Sequence, residues 1–194
     1  MSERAVTTHD VLVVGGGPAG ATAAALLAKD GHSVLVLERE RFPRFHIGES
    51  LLPAELGIFE RLGFDPRELP AVYKSGADFV EEETGRHARY HFDEGMEGTP
   101  GYAWHVERAP FDDALLRRAE ALGAEVREGV RVHDASAGED GVVAESDQGR
   151  HEARFLVDAT GRDRLLARRR RAQERIDGVG RAAAFVHYSG LAPE

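Results

Sequence analysis

The sequence predicts an α/β fold: a Rossmann-like parallel sheet, an antiparallel β-meander beside it, and the start of a separate β-rich region. Three observations predict this. Residues 10–38, DVLVVGGGPAGATAAALLAKDGHSVLVLE, pass from strand to glycine turn, small-residue helix, second strand and terminal acid in that order. Residues 11–14 and 34–37 are short β-branched apolar runs without polar alternation, as expected of strands covered on both faces of a parallel sheet. Farther on, LVDATGR ends another apolar run in a second glycine turn.

The first turn carries Gly15, Gly17 and Gly20 in G-x-G-x-x-G spacing. In that pattern the first glycine permits a tight turn, the second lets a pyrophosphate approach the backbone, and the third lets helix and strand pack closely. Helical N–H groups just beyond would face the phosphates. Ala19, Ala23, Leu26 and Leu27 then repeat at helical spacing. Glu38 ends the second strand, where a carboxylate can accept hydrogen bonds from both ribose hydroxyls of an adenosine and disfavours a 2′-phosphate. The pattern therefore predicts a site for FAD or NAD rather than NADP. A membrane span is the competing reading, because residues 11–28 contain no charge and score as hydrophobic. Three consecutive glycines and Pro18 in the first half of that stretch argue against it.

After Glu38, a loop with Pro43 and Gly48 leads to a helix whose expected cap is Ser50. Pro53 lies in its first turn, Leu56, Phe59 and Leu62 supply a buried stripe, and Gly63 ends it. Residues 65–73 read as a short helical connection. Residues 74–92 alternate about Gly85 as a β-hairpin, with Ala77, Phe79, Ala88, Tyr90 and Phe92 among its apolar positions. The glycine- and acid-rich stretch 93–101 reads as a mobile loop. A short strand and a helix follow, the helix burying Phe111, Leu115, Leu116, Ala119 and Leu122. Strands are expected at 124–127, 130–135, 142–146 and 153–157, the middle pair forming the meander. A basic helix follows the second glycine turn, and residues 182–189 begin another strand. This division assigns 1–73 and 103–180 to the nucleotide-binding domain, and 74–102 with 181–194 to the second, β-rich region.

A formal charge of −9 argues against nucleic-acid or anionic-membrane binding. With no cysteine, disulfides, thiolate nucleophiles and cysteine-ligated metals are excluded. The first ten residues, MSERAVTTHD, lack the apolar core of a signal peptide, which predicts a cytoplasmic protein. His87 and His91 share one face of a strand, but no third ligand accompanies them, so no metal site is expected. The arginine run 168–171 reads as a solvated helix end. Lys29 and Lys74 are the only lysines. Lys29 suits the exposed end of the first helix, where a cation meets the dipole; Lys74 has no such explanation.

Taken in order, FPRFHIGESLLP, the Tyr73–Lys74 pair, WHVERAPFDDALL and VDATGR resemble the flavin-dependent halogenases, particularly those acting on phenols and pyrroles. These belong to the glutathione-reductase-like flavoproteins, in the branch that includes p-hydroxybenzoate hydroxylase and geranylgeranyl reductases. The resemblance covers nearly the whole chain. It implies a Rossmann-like FAD-binding domain in which Gly15, Gly17, Pro18, Ala19 and Gly20 hold the pyrophosphate and Glu38 holds the ribose, with Arg39 beside it at the cofactor. Arg108 would position the phosphates, Glu49 and Ser50 would run near the flavin after Gly48, and Asp158, Thr160 and Gly161 would form a second turn close to FAD. On the residues alone, other readings stay open: Glu49 satisfying backbone N–H groups, Arg108 pairing with Asp112 on a helix surface, DATG as an ordinary strand-to-helix turn, and Ser50 as a helix cap.

The family uses reduced FAD as co-substrate, with dioxygen and a halide, chloride being expected, to make hypohalous acid that a lysine directs onto an aromatic or pyrrole-like substrate. Lys74 matches that lysine. An ammonium can donate to the hypohalous oxygen and a free amine can form a haloamine, whereas arginine stays charged and is poorly nucleophilic. The alternative is an exposed lysine at the start of a strand. The implied partners are a small aromatic substrate, free or carrier-protein-bound, and a separate flavin reductase; the implied setting is natural-product biosynthesis. Two family features, a W-x-W-x-I-P segment and a later Gly-Asp turn, are not among the 194 residues, so the expectation is the N-terminal part of a larger enzyme. A related aromatic hydroxylase or geranylgeranyl-reductase-like enzyme, and a truncated non-catalytic FAD-binding module, remain the alternatives.

Overall fold

Parallel pairing organises the molecule around its first strand. The structure, a computed structural model, describes residues 9–174 and 186. Strand β1 (His9–Val14) leads through the glycine turn into α1 (Pro18–Lys29) and returns as β2 (Val34–Glu38). Then come α2 (Pro53–Leu62), β3 (Ala71–Lys74), the hairpin β4 (Gly76–Glu81) and β5 (Arg86–His91), β6 (Ala103–Val106) and α3 (Arg108–Ala121). The chain continues through β7 (Glu125–Glu128), β8 (Val132–Gly138), β9 (Gly141–Ser146), β10 (Gly149–Asp158) and the short α4 (Leu165–Arg169). The main sheet has six strands in the order β7-β2-β1-β10-β9-β8. β7, β2, β1 and β10 run parallel, and β9 and β8 are antiparallel additions.

Alternate residues of β1 and β2 feed two separate cores, which is why those runs show no polar alternation. Val11, Val13, Val34 and Val36 face α1, α2 and α3, packing against Ala21, Ala24, Phe59, Leu62, Phe111 and Leu115. Leu12, Val14, Leu35 and Leu37 face the meander and pack against Val130, Ala135, Ala144 and Ala153. Phe59, Phe64 and Phe111 meet edge to face, with each pair of ring centroids 5.7 Å apart.

Several expectations are corrected. The helix expected to be capped by Ser50 begins at Pro53, with Leu52 in the cap position: Glu55 N donates to Leu52 O at 3.0 Å, and Leu52 N donates to the Glu55 carboxylate at 3.0 Å. Ser50 instead forms an isolated antiparallel bridge with His105. Of the helical connection at 65–73, only Pro66–Glu68 coils, as a 3₁₀ turn; Ala71 onward is strand, because β6 supplies its hydrogen-bonding partner. β7 and β8 start one and two residues later than expected, and β10 is longer at both ends. Its first half pairs with β9 and its second with β1, so one strand serves both the meander and the parallel sheet. Phe92 falls just past the hairpin, in a 3₁₀ turn over Phe92–Glu94. Lys29 does more than meet a helix dipole, since its ammonium donates to the Arg61 carbonyl and ties α1 to α2. The strand expected over 182–189 lies, apart from Val186, outside the described residues. Among the described residues no helix is long and apolar enough to cross a membrane.

Candidate functional site

A cleft of about 940 Å³ opens at the C-terminal ends of β1, β2 and β10. β1 is the point from which the chain winds outward in both directions, the usual place for a ligand in an open α/β sheet. Gly15, Gly17, Pro18 and Ala19 line it from the first turn, Glu38 and Arg39 from the end of β2, and Thr160 and Gly161 from the second turn. Arg44 and Arg108 lie at the rim beside the first turn.

The three motif glycines are needed for different reasons. Gly15 has φ +104°, and a Cβ there would stand 2.4 Å from Ala159 O. A Cβ on Gly20 would stand 1.8 Å from Gly15 O. Gly17 is different: its φ is −65°, and a Cβ would meet only the Arg44 Nη2 atom, at 3.6 Å. Nothing in the packing of the described residues requires glycine there, so the bare position leaves a cradle over the start of α1. No side chain caps α1, and the first turn of a helix presents N–H groups without intrahelical acceptors. Glu38 is only 6% exposed. One of its oxygens accepts from Gly16 N at 2.6 Å and the other from Glu40 N at 2.8 Å. Each carboxylate oxygen has a second lone pair, so ribose hydroxyls and these backbone donors can be served together. Arg39 forms an ion pair with Asp163, joining the end of β2 to the second turn.

The second turn is held by its own side chains. Asp158 Oδ1 accepts from Thr160 N at 3.2 Å and Thr160 Oγ1 at 2.6 Å, while Oδ2 accepts from Leu166 N at 2.8 Å. Thr160 Oγ1 accepts in turn from Leu165 N at 3.1 Å. Asp158 thus organises the turn, and Thr160 and Gly161 border the cleft. In the arginine run, Arg168 and Arg169 reach the rim, and Arg169 donates to Asp134 and to Ala135 O.

Glu49, Ser50 and Lys74, also expected at the site, do not line this cleft. Glu49 and Ser50 run alongside β6, where Val106 N donates to Glu49 O at 2.9 Å and the Glu49 carboxylate meets His105 Nε2 at 3.2 Å. Lys74 ends β3 opposite Ala103, half-buried, with Nζ 4.9 Å from the centroid of the Phe92 ring. Arg108 does pair with Asp112, although inside the protein rather than on the helix surface, Asp112 being fully buried. Arg44 escaped the sequence reading, and Asp112 entered it only as a surface partner for Arg108, its burial unforeseen. A signal for Asp112 was available, since an acid at that spacing falls on the apolar stripe of α3 with Leu115, Leu116 and Ala119.

A family model described as "FAD binding domain" matches residues 8–181. Flavin-dependent halogenase armH3 of Armillaria mellea is 36% identical over 180 residues, covering 87% of this chain and 35% of that protein. A 1H-pyrrole-2-carbonyl peptidyl-carrier-protein chlorinase of Pseudomonas fluorescens is 37% identical over 184 residues, covering 83% of this chain and 41% of that protein. A solved flavoprotein/dehydrogenase structure from Cytophaga hutchinsonii superposes with a TM-score of 0.73 at 36% identity, covering 83% of this chain and 41% of that one. The chain therefore spans between about a third and two fifths of the length of these relatives.

Proposed function

Because this chain belongs to the FAD-binding domain family, we propose that it is the cofactor-holding portion of a flavin-dependent halogenase acting on an aromatic or pyrrole-like substrate. The observation that carries the reading is the uncapped start of α1 at Gly17, opening into a cleft bordered by Glu38, Arg44 and Arg108, in a chain whose relatives are named as halogenases. That geometry suits FAD: the bare Gly17 position admits a diphosphate to the helix start, and Glu38 suits the adenosine ribose. Pro18, Ala19 and Gly20 complete the pyrophosphate turn, Arg39 and Gly161 border the adenosine and second-turn sides, and Asp158 and Thr160 keep that second turn in shape. Reduced FAD supplies the electrons for dioxygen activation when bound.

Lys74 is the proposed catalytic residue, donating from its ammonium to the oxygen of hypohalous acid and directing the halogen to the substrate. Packing against Phe92 restrains the side chain. Glu49 and Ser50 would contact the flavin from the loop that follows Gly48. In this reading residues 74–102 begin the substrate region, chloride is the halide, the substrate is free or carrier-bound, and a separate flavin reductase supplies reduced FAD.

The test uses the full-length protein with a flavin reductase, FAD, halide and a panel of pyrrole and phenol substrates, free and carrier-bound. A halogenated product is expected, with Lys74→Ala abolishing it while reduced flavin is still reoxidised. Halogenation by Lys74→Ala would remove that residue's role. Oxidation of a nicotinamide cofactor by the protein itself, with hydroxylated product, would replace the halogenase with a hydroxylase.

A further inference from the structure

Asp112 is a carboxylate where the sequence calls for an apolar side chain. It sits on the inner face of α3 between Phe111 and Leu115, and it is 0% exposed. A charge so placed must be paired and hydrogen-bonded, and two guanidiniums do this. Arg108 Nε donates to Oδ1 at 2.7 Å and its Nη2 to Oδ2 at 2.9 Å. Arg44 Nη1 donates to Oδ2 at 3.1 Å. Two guanidiniums thus share the one buried carboxylate, and the more exposed Glu40 supplies a second carboxylate at Arg44.

The remaining donors point in different directions. Arg108 Nη1 donates to Ile47 O at 3.1 Å and Gly48 O at 3.0 Å, holding the loop that carries Glu49. Arg44 is fixed on three sides: by Asp112, by an ion pair of Nε with Glu40 at 2.8 Å, and by the Phe42 ring, 4.5 Å from its guanidinium carbon. Its Nη2 makes no hydrogen bond to a described residue, and it is the atom 3.6 Å from the bare Cβ position of Gly17.

We propose that Asp112 is a positioning residue for the cofactor's diphosphate: it holds Arg44 with Nη2 aimed over the glycine turn, so that an entering phosphate oxygen meets a guanidinium already oriented. This rests on the FAD reading and adds to it the pair that sets the cation in place. Charge-assisted bonds to a pre-oriented fork are the stronger kind of anion contact. The inference concerns the diphosphate alone, so adenosine binding should be indifferent to it.

The experiment measures FAD, ADP and adenosine affinities of the full-length protein, Asp112→Asn, Arg44→Gln and the double variant, with thermal melts beside each. Asp112→Asn and Arg44→Gln should each weaken ADP and FAD about tenfold or more and leave adenosine within about twofold, and the double variant should be no worse than the weaker single one. The ADP-to-adenosine ratio is a readout that a purely structural role would not move. Should Asp112→Asn fail to fold, Arg44→Gln decides: undiminished ADP affinity there overturns the proposal. Equal losses of ADP and adenosine, or losses that add in the double variant, overturn it as well. If the unaltered protein binds neither FAD nor ADP, the cofactor reading falls and takes this inference with it; if it binds both and the variants match it, only the inference falls.

Discussion

Two strand–turn–helix units lie side by side in this molecule, and they treat the start of their helices in opposite ways. At the end of β1 the turn is made of glycine, and no side chain caps α1. At the end of β10, Asp158 and Thr160 occupy the donors of their own turn and of the first residues of α4. The strands are parallel neighbours in register, Val14 opposite Asp158, so the contrast belongs to the turns. Helix N–H groups that are left open can hold a ligand's phosphate, whereas those closed by a carboxylate hold the protein together. On the proposed reading the first turn is the binding surface, and the second is a latch that shapes the opposite wall of the cleft.

The most damaging change should be Gly20→Ala, because its Cβ would stand 1.8 Å from a carbonyl oxygen of the first turn itself. A loss of at least about 3 kcal/mol is expected, more than ordinary overpacking, together with FAD binding; a denaturant melt and a flavin titration measure both. Gly17→Ala sharpens the comparison, since the protein leaves room for that methyl. FAD affinity should fall about a hundredfold, or ~2.7 kcal/mol, while stability falls by no more than about 1 kcal/mol. Unaltered FAD affinity would end the claim that the first turn is the binding surface.

Asp158→Ala should show the reverse balance. Removing the latch frees Thr160 and Leu166 N–H groups and should lower stability by about 1–2 kcal/mol, with a smaller effect on FAD affinity than Gly17→Ala. A larger effect on FAD than on the melt would break the division of labour between the turns.

The smallest effect comes from the antiparallel half of β10. His151 is buried there beside Ser146 Oγ, at 2.8 Å, and burial, reinforced by the nearby Arg127 charge, lowers its pKa from 6.5. A base whose folded-state pKa is lowered is protonated more readily in the unfolded chain, so its stability contribution is complete above pH 6.5 and declines as pH falls through the folded value. Urea melts between about pH 7.5 and pH 5 should show that decline, and His151→Gln should flatten it.

The legible parts were those governed by local rules. The glycine spacing, the two apolar runs, the hairpin about Gly85 and the inner face of α3 each follow from turn sterics or from a side-chain period within one segment. The strand at 71–74 was not legible, because its pairing partner lies some thirty residues on, at β6, and a short strand is specified by its neighbour as much as by itself. Ser50 looked like a cap for the same reason: capping chemistry was visible, and the competing bridge to His105 was not. Arg44 and Asp112 lie far apart in sequence, and only the packing of α3 beneath the loop after β2 brings them to 3.1 Å.

Sequence by itself determined where the open glycine turn would form and which residues could not carry a side chain, since a positive φ and a closely packed turn are local steric demands. Tertiary structure decided which of two similar turns remained open, where β10 changed from meander to parallel strand, and that a buried carboxylate would join two arginines beside the cleft. Burial and charge pairing are properties of neighbours in space, and they came into being only when those segments met.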